Sequence, residues 1–308
     1  MRSALALVFM LGSANAEADS TPIGGVRPNI VGGNPVTPYE HNWVVQLIAS
    51  KKGRSYLCGA SLIDAEWVMT AAHCTDGIKA SKMKAHVHRH RINGGDGHEC
   101  AETLNVDEKF EYDEYDAETF ANDIALLRLS QPVRCADSIT MPSLDDGSSS
   151  GAGTTVTVAG WGATSEGGSS PNVLHSVDLQ LLTNAQCENY GYSGDLVDSM
   201  ICAIGDLEGG EDSCQGDSGG PLFAQQGGED IIVGVVSWGY GCARKGVAGV
   251  YTRVSSYTAW IEATSGVATQ SPPALPSPPS SPPLPPSPPV TPPPPSPPPS
   301  EPAVPSVV

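Results

Sequence analysis

The sequence is poor in positive charge and lacks two common motifs, and each shortage argues against a class of function. Only 16 Lys and Arg residues accompany 34 Asp and Glu residues, which gives a formal net charge of −18. Nucleic-acid binding needs the opposite sign, because Lys and Arg must neutralise the phosphates. No Cys-x-x-Cys pair indicates a zinc site, and no Asn-x-Ser/Thr sequon indicates an N-glycan. We therefore expect neither a nucleic-acid partner nor a zinc cofactor.

Long apolar runs are also missing. The apolar stretch near the N-terminus, residues 4–11, is too short to cross a bilayer, which takes about 20 residues. It follows Arg2 and precedes the small residues 14–16, the order typical of a secretory signal peptide and its cleavage site. We predict a signal peptide over residues 1–16, a secreted extracellular protein and no membrane partner.

The body of the chain, residues 30–263, is long enough for a full hydrophobic core. It contains short β-type runs, such as residues 43–49, 154–159 and 231–238, separated by Gly, Pro and Asp. Regular short strands with turn residues between them favour an all-β sandwich or barrel over a helical fold.

Ser218 is the candidate nucleophile, because it lies in the glycine-flanked run Asp-Ser-Cys-Gln-Gly-Asp-Ser-Gly-Gly-Pro at residues 212–221. Backbone amides on such a turn can point at a developing oxyanion. A hydroxyl is a poor nucleophile at neutral pH, so it needs a base, and a carboxylate must hold that base in the useful tautomer. His73, in Thr-Ala-Ala-His-Cys, is the candidate base, and Asp123, in Asn-Asp-Ile-Ala-Leu-Leu, is the candidate orienting acid.

Together these motifs resemble a trypsin-type member of the chymotrypsin family of serine peptidases, over about residues 30–263. The resemblance extends to Ile-Val-Gly-Gly at residues 30–33, Gly-Trp-Gly at 160–162 and Ser-Trp-Gly at 237–239. It implies an all-β fold of two packed antiparallel six-stranded barrels, with the active site in the cleft between them. We also expect a short C-terminal helix, with Ser255 or Ser256 near its cap and Trp260 and Ile261 packed inward.

The resemblance implies an endopeptidase whose catalytic residues are His73, Asp123 and Ser218. Ser218 would attack the peptide carbonyl while His73 accepts its proton, giving an acyl-enzyme that water hydrolyses. The amides of Gly216 and Ser218 would form the oxyanion hole, and Ser237 would support Asp123.

The specificity implied by the resemblance is cleavage after Arg or Lys. In the family, an acid at the position of Asp212 lies at the base of the primary pocket and pairs with the basic side chain of the substrate. Gly239 and Gly249 match positions where a larger residue would narrow that pocket. The implied substrate-binding residues are therefore Asp212, Ser237, Trp238, Gly239 and Gly249.

Eight cysteines in an exported chain indicate four disulfides. The resemblance implies three of them: Cys58–Cys74, Cys187–Cys202 and Cys214–Cys242. Cys100 and Cys135 remain, at positions that match no usual family bridge. The two β-type segments between them are typical of antiparallel neighbours, and pairing Phe110 with Ala125 would place Cys100 opposite Cys135. We predict that these two cysteines form the fourth bridge.

Activation is where the sequence departs from the family, which usually has Arg or Lys before the mature Ile. Here Asn29 precedes Ile30, and the nearby Arg27–Pro28 bond is a poor trypsin substrate. We expect a propeptide over residues 17–29 and a separate activating peptidase, such as an asparagine-specific one. The new Ile30 ammonium would then pair with the Asp217 carboxylate.

Alternating histidines suggest a metal site, although exposed histidines without a metal are the favoured interpretation. His86, His88 and His90 would share one face of a strand, and imidazole is a common metal ligand. We predict no metal at these three residues.

Two acidic segments leave further functions open. Asp96, Glu99 and Glu102 fall near the loop that holds calcium in some relatives, so a structural calcium remains an alternative to no cofactor. Residues 107–118 carry seven carboxylates and one lysine. We favour a solvated loop there, and the alternative is a preference for basic substrate residues upstream of the cut.

The composition changes abruptly at about residue 264, because residues 264–308 hold 20 of the 28 prolines, many in Ser-Pro-Pro repeats. Such a tail cannot bury a core and is predicted to form extended polyproline II. It resembles hydroxyproline-rich cell-wall proteins of plants and algae, which would imply O-glycosylation and a cell-wall partner. A passive spacer is an equally favoured alternative.

Two functions from different classes compete. The favoured one is a secreted endopeptidase that is monomeric and acts on polypeptides. The alternative is a catalytically silent binding or inhibitor protein on the same fold. Silent relatives usually show a changed His, Asp or Ser, and His73, Asp123 and Ser218 are all present here.

Overall fold

The computed structural model describes residues 30–93, 97–192 and 194–269. The predicted signal peptide (1–16), the propeptide (17–29) and the tail beyond residue 269 lie outside these residues and stay predictions. Across the described part of the chain, no helix has the length and apolarity needed to cross a membrane.

The first half of the chain forms a closed antiparallel barrel. A two-residue strand, β1 (Asn34–Pro35), comes first and joins the second barrel instead. The barrel is closed by pairing in the order β2, β3, β4, β7, β6, β5 and back to β2. Its strands are β2 (Val44–Lys51), β3 (Arg54–Leu62), β4 (Trp67–Thr70), β5 (Met83–Val87), β6 (Glu102–Glu111) and β7 (Ala125–Leu129).

The second half repeats this architecture. Six antiparallel strands close in the order β9, β10, β11, β14, β13, β12, and β8 adds to β13 in parallel. These strands are β8 (Ser143–Leu144), β9 (Thr155–Gly160), β10 (His175–Leu182), β11 (Met200–Ile204), β12 (Pro221–Gln226), β13 (Glu229–Trp238) and β14 (Gly249–Arg253). The helices are short, α1 (Asn184–Cys187) and α2 (Thr258–Ser265). The predicted fold of two six-stranded barrels is confirmed.

Period-two alternation explains why these segments form barrel walls. In β10, Val177, Leu179 and Leu181 are buried, whereas Asp178 and Gln180 between them are exposed. Successive side chains of a strand point to opposite faces, so one face of β10 fills the core and the other meets water.

The pairing of β6 with β7 differs from the predicted register by one residue. Phe110 pairs with Leu126 instead of Ala125, and a bulge between Val106 and Glu108 then shifts the register. Because a bulge places one extra residue on one strand, the pairing beyond it returns to the predicted alignment. The disulfide therefore still forms, with the Cα atoms of Cys100 and Cys135 5.7 Å apart.

The predicted C-terminal helix begins at Thr258. Residues Val254–Ser256 form a separate 3-10 turn, and Tyr257 takes the N-cap position of α2 without a side-chain cap. Ser256 therefore lies next to the N-cap residue, as expected, although no serine side chain caps the helix. Ile261 is fully buried as expected, and Trp260 is partly buried against the same core cluster.

Candidate active site

His73 and Asp123 meet at one edge of the first barrel. His73 lies in the 3-10 turn Ala72–Cys74 after β4, and Asp123 lies just before β7, the neighbour of β4. His73 Nδ1 is 2.7 Å from Asp123 Oδ2, and the backbone N–H of His73 donates to Oδ1 at 2.8 Å. One carboxylate therefore fixes both the ring and the main chain of the histidine.

The second barrel completes the surroundings of Asp123, which is fully buried. Ser237 Oγ donates to Asp123 Oδ2 at 2.6 Å. Thr252 Oγ1 donates to the carbonyl oxygen of Asp123 at 2.7 Å. A carboxylate is tolerated in the interior when such bonds replace the lost water. Sequence reasoning included Ser237 but missed Thr252, which carries no motif of its own.

Ser218 lies on a tight turn of the second barrel, just before β12, that contacts the first barrel. The backbone N–H of Gly59, on β3, donates to the carbonyl oxygen of Ser218 at 2.8 Å. Gly216, two residues earlier, has φ of 101°, a conformation that residues with a side chain rarely adopt. Ser218 and His73 line a common cavity of about 350 Å³. The fold thus brings the candidate nucleophile and base to one cleft.

Asp217, the residue before Ser218, is fully buried. Its carboxylate accepts the backbone N–H of Gly162 at 2.7 Å and that of Cys214 at 3.0 Å. Burial raises the pKa of Asp217 to about 6, although these two donors oppose the change. The side chain of Ile30 is also fully buried, in the core of the second barrel.

A second, narrower cavity of about 130 Å³ extends from Ser218 to Asp212. Asp212 is 6% exposed, and its Oδ2 accepts the backbone N–H of Ala243 at 2.9 Å. Burial raises the pKa of Asp212 to about 7, although the donor at Ala243 opposes the change. Trp238 is among the residues that line this cavity. The result is a small cavity with one desolvated carboxyl group in its lining.

The two glycines predicted to keep this cavity open differ in their surroundings. A Cβ at Gly249 would lie 3.0 Å from Asp212 Oδ1 and 2.9 Å from the hydroxyl of Tyr251, so no side chain fits there without displacement. A Cβ at Gly239 would meet its nearest atom, the hydroxyl of Tyr192, at 3.6 Å. A side chain at Gly239 is therefore sterically acceptable locally, and its cost would come from occupying the cavity.

The described residues include all eight cysteines, which form four disulfides, and two of these lie at the candidate site. The Cys58–Cys74 bridge lies next to His73, and Cys214–Cys242 lines the cavity that holds Asp212. The remaining two bridges are Cys100–Cys135 and Cys187–Cys202. The predicted four disulfides are confirmed.

The alternating histidines do not share a strand face, because β5 ends at Val87 and His88 has φ of 53°. His86 Nδ1 lies 2.9 Å from Thr103 Oγ1. Burial, followed by the charges of Arg89 and Lys84, lowers the pKa of His86 to about 4. His88 lies near His98 and Cys100, but the sulfur of Cys100 is bonded to Cys135 and is no thiolate.

The residues considered for calcium do not form a carboxylate cluster in the described part of the loop. Glu102 accepts bonds from the backbone N–H of Arg134 at 2.5 Å and from its Nε at 3.3 Å, so its carboxylate faces that cation. Glu99 is exposed, and Asp96 lies outside the described residues. A structural calcium stays an untested alternative to no cofactor, and no step below depends on it.

Comparison with known proteins agrees with this geometry. Residues 30–261 match the family model described as Trypsin. A "Trypsin" of Xenopus laevis is 39% identical over 261 residues, covering 84% of this chain and 97% of that protein. "Trypsin-1" of Astacus astacus is 38% identical over 241 residues, covering 77% of this chain and 100% of that protein. "Cationic trypsin-3" of Rattus norvegicus is 38% identical over 262 residues, covering 84% of this chain and 98% of that protein.

The two barrels, the cleft with Ser218 and His73, and the family match over 232 residues lead to one conclusion. The chain belongs to the trypsin family of serine endopeptidases, hydrolases that act on polypeptides.

Proposed function

We propose that this endopeptidase is secreted as a proenzyme, is activated by a cut before Ile30, and hydrolyses peptide bonds after Arg and Lys. The observation that carries the specificity is the buried carboxyl of Asp212 in a cavity that also reaches Ser218. The four disulfides fit an extracellular protein.

In this proposal Ser218 Oγ attacks the substrate carbonyl while His73 Nε2 accepts its proton. The 2.7 Å contact between His73 Nδ1 and Asp123 holds the ring in the tautomer that leaves Nε2 free to accept, and stabilises the imidazolium that forms. The protonated His73 then donates to the leaving amine, and water hydrolyses the acyl-enzyme by the same route in reverse. The backbone N–H groups of Gly216 and Ser218 bind the oxyanion, at about 3 kcal/mol for each donor.

Asp212 selects the residue whose carbonyl is attacked. A Lys or Arg side chain that enters the cavity brings a cation to the carboxyl group, favours its ionised form and replaces the water lost on burial. A neutral side chain would leave that acid unpaired. Gly239 and Gly249 leave room for the long side chain.

Activation in this proposal depends on Ile30 and Asp217. The cut after Asn29, which lies outside the described residues, creates an ammonium group on Ile30, whose side chain is already buried. Pairing of this cation with the buried Asp217 carboxylate would lower the pKa of Asp217 and fix the adjacent Gly216 and Ser218. Because Asn29 is no trypsin site, the activator is a different peptidase. The monomeric state remains a prediction from the sequence, and a wall-bound tail remains an alternative to a passive spacer.

Hydrolysis of matched Arg, Lys, Phe and Ala peptide substrates tests this proposal. Protein verified to start at Ile30 is compared with the uncut proenzyme, with Ser218→Ala and with Asp212→Ser. Glu262→Gln, an exposed change on α2, serves as the control. We expect Arg and Lys turnover only in the cut protein and the control, and loss of the Arg/Lys preference in Asp212→Ser. No turnover by verified Ile30-start protein would instead support the silent binding protein.

A further inference from the structure

A larger cavity of about 440 Å³ adjoins the narrow one that holds Asp212. Its apolar lining consists of Phe120, Val197, Trp238 and Tyr240, and its charged lining consists of Glu118 and Asp195. We call this cavity the acidic groove. Tyr240 and Val197 are 48% and 42% exposed, so the apolar lining is open to a ligand.

The acidic groove lies beside the candidate catalytic residues. Trp238 lines both the groove and the Asp212 cavity, so the two spaces share a wall. The ring of Phe120 packs edge-on against that of His73, with centroids 5.9 Å apart. When a substrate peptide places a basic side chain in the Asp212 cavity, its segment on one side of the scissile bond therefore lies along the acidic groove.

The chemistry of the reaction identifies that side. His73 gives its proton to the leaving amine, so the leaving segment departs through the cavity that His73 and Ser218 share with Cys58. The acidic groove contains neither His73 nor Ser218. We therefore assign the groove to substrate residues on the acyl side, upstream of the cut. Phe120 contacts the His73 ring and also lines the groove, so we assign the groove to substrate residues beyond the one next to the cut.

The charges of the groove favour a cationic ligand. Tyr240 Oη donates to Asp195 Oδ2 at 2.9 Å, which fixes that carboxylate, and a carboxylate can accept several bonds at once. Glu118 is exposed, and its backbone N–H is held by Asp116 Oδ1 at 2.8 Å. The tyrosine and tryptophan rings add faces that attract cations and cover aliphatic stems.

Neighbouring basic residues are engaged elsewhere. Arg244 pairs with Glu166 at 2.6 Å, and Lys245 pairs with Glu208 at 2.6 Å. The groove thus combines an apolar wall for a long stem with two carboxylates at its rim, in a chain of net charge −18.

We propose that the acidic groove binds a Lys or Arg side chain at the third or fourth residue upstream of the cut. The preferred substrates are then polypeptides with two basic residues, one at the cut and one a short distance before it. This inference rests on the proposed cleavage after Arg and Lys.

Fluorogenic tetrapeptides that all end in Arg test the inference. The second, third and fourth residues upstream are varied singly among Lys, norleucine and Glu, because norleucine keeps most of the lysine stem without its charge. For the cut protein we expect kcat/KM to favour Lys over norleucine by about threefold to tenfold at the third or fourth position. Glu should be the poorest of the three, and added salt should reduce the Lys preference.

Matched variants locate the effect. Asp195→Asn and Glu118→Gln together should bring the Lys/norleucine ratio of kcat/KM close to one. Glu262→Gln removes an exposed carboxylate on α2 and should leave the ratio unchanged. A ratio of one in the wild-type protein, or a preference for norleucine, would overturn the inference while cleavage after Arg stands. Absence of cleavage of every Arg peptide would overturn the proposed function and the inference with it.

Discussion

The Asp230 carboxylate, on β13 of the second barrel, lies 2.9 Å from Nδ1 of His41, which precedes the first barrel in the chain. The same carboxylate accepts Trp43 Nε1 at 3.0 Å, and its other oxygen accepts Gln225 Nε2 at 2.9 Å. The His41 ring also packs edge-on against Phe223. Asp230 is therefore a polar link between the start of the first barrel and the β12–β13 hairpin.

Replacement of Asp230 should weaken this link in a pH-dependent way. Burial would raise the pKa of Asp230, but the bonds from His41, Gln225 and Trp43 outweigh it and hold the pKa below the ordinary 3.8. A depressed pKa means that the stabilisation is present above pH 3.8 and is lost as the pH falls below it. We expect Asp230→Asn to lower the free energy of unfolding by about 1–3 kcal/mol at pH 7 and by less at pH 3.

Denaturant unfolding at both pH values measures this difference. Glu229→Gln, an exposed change in the same hairpin, is the control and should change little at either pH. If Asp230→Asn lowered the free energy of unfolding equally at pH 7 and pH 3, the charge of the carboxylate would not be what stabilises the link.

The Asp212 cavity should bind cations in a pH-dependent way. The pKa of Asp212 is raised to about 7 by burial, and a cation binds the ionised form. Below pH 7 the carboxyl must first lose its proton, so the affinity for benzamidine, a small aromatic cation, should fall by up to about tenfold per pH unit. Calorimetric titration of the Ile30-start protein from pH 5 to pH 9 measures this. A pH-independent affinity would refute it, and Asp212→Asn should bind poorly throughout.

Thr252 is expected to act as a positioning residue for Asp123. Thr252→Val keeps the shape but removes the hydroxyl that donates to the Asp123 carbonyl, leaving a buried acceptor without its donor at a cost of about 1–3 kcal/mol. We expect a lower kcat with little change in KM, because the displaced group orients His73 and does not touch the substrate.

Thr157→Val is the matched control for that variant, since the Thr157 hydroxyl donates to Asp178 on an exposed strand face. It should leave kcat unchanged. If Thr252→Val lost stability but kept full kcat and an unchanged pH profile, its role would be structural alone.

The Cys100–Cys135 bridge should stabilise the first barrel without serving catalysis. It spans 35 residues that include β6 and β7, and a loop of that length is worth about 3–4 kcal/mol in the chain-entropy account. The double change Cys100→Ala with Cys135→Ala should lower the unfolding free energy by that order, with kcat/KM for Arg peptides retained. Thermal unfolding measures the loss of stability, and peptide kinetics at 25 °C measure the retained activity. A lower kcat/KM in a folded variant would contradict the expectation that the bridge does not serve catalysis.

The sequence predicted the fold because its motifs occur in one order and its strands alternate with period two. Local reading could not place the bulge after Val106, since it depends on how β6 packs along β7. Nor could it identify Thr252, which lies 129 positions from Asp123 and acts on it only through folding. Phe120 and Asp195 were missed for the same reason, because each gains its meaning from the groove formed with Trp238.

Each end of the described chain crosses to the opposite barrel. β1 pairs with β10 of the second barrel, whereas α2 buries Ile261 in the core cluster that contains Leu126 of the first. All eight cysteines are described, and every disulfide stays within one half of the chain. A single nick in residues 146–153 would thus yield two fragments with no covalent tie, the first carrying His73 and Asp123 and the second Ser218. With the catalytic roles proposed above, each fragment alone would be inert, and recovered activity would report their reassembly.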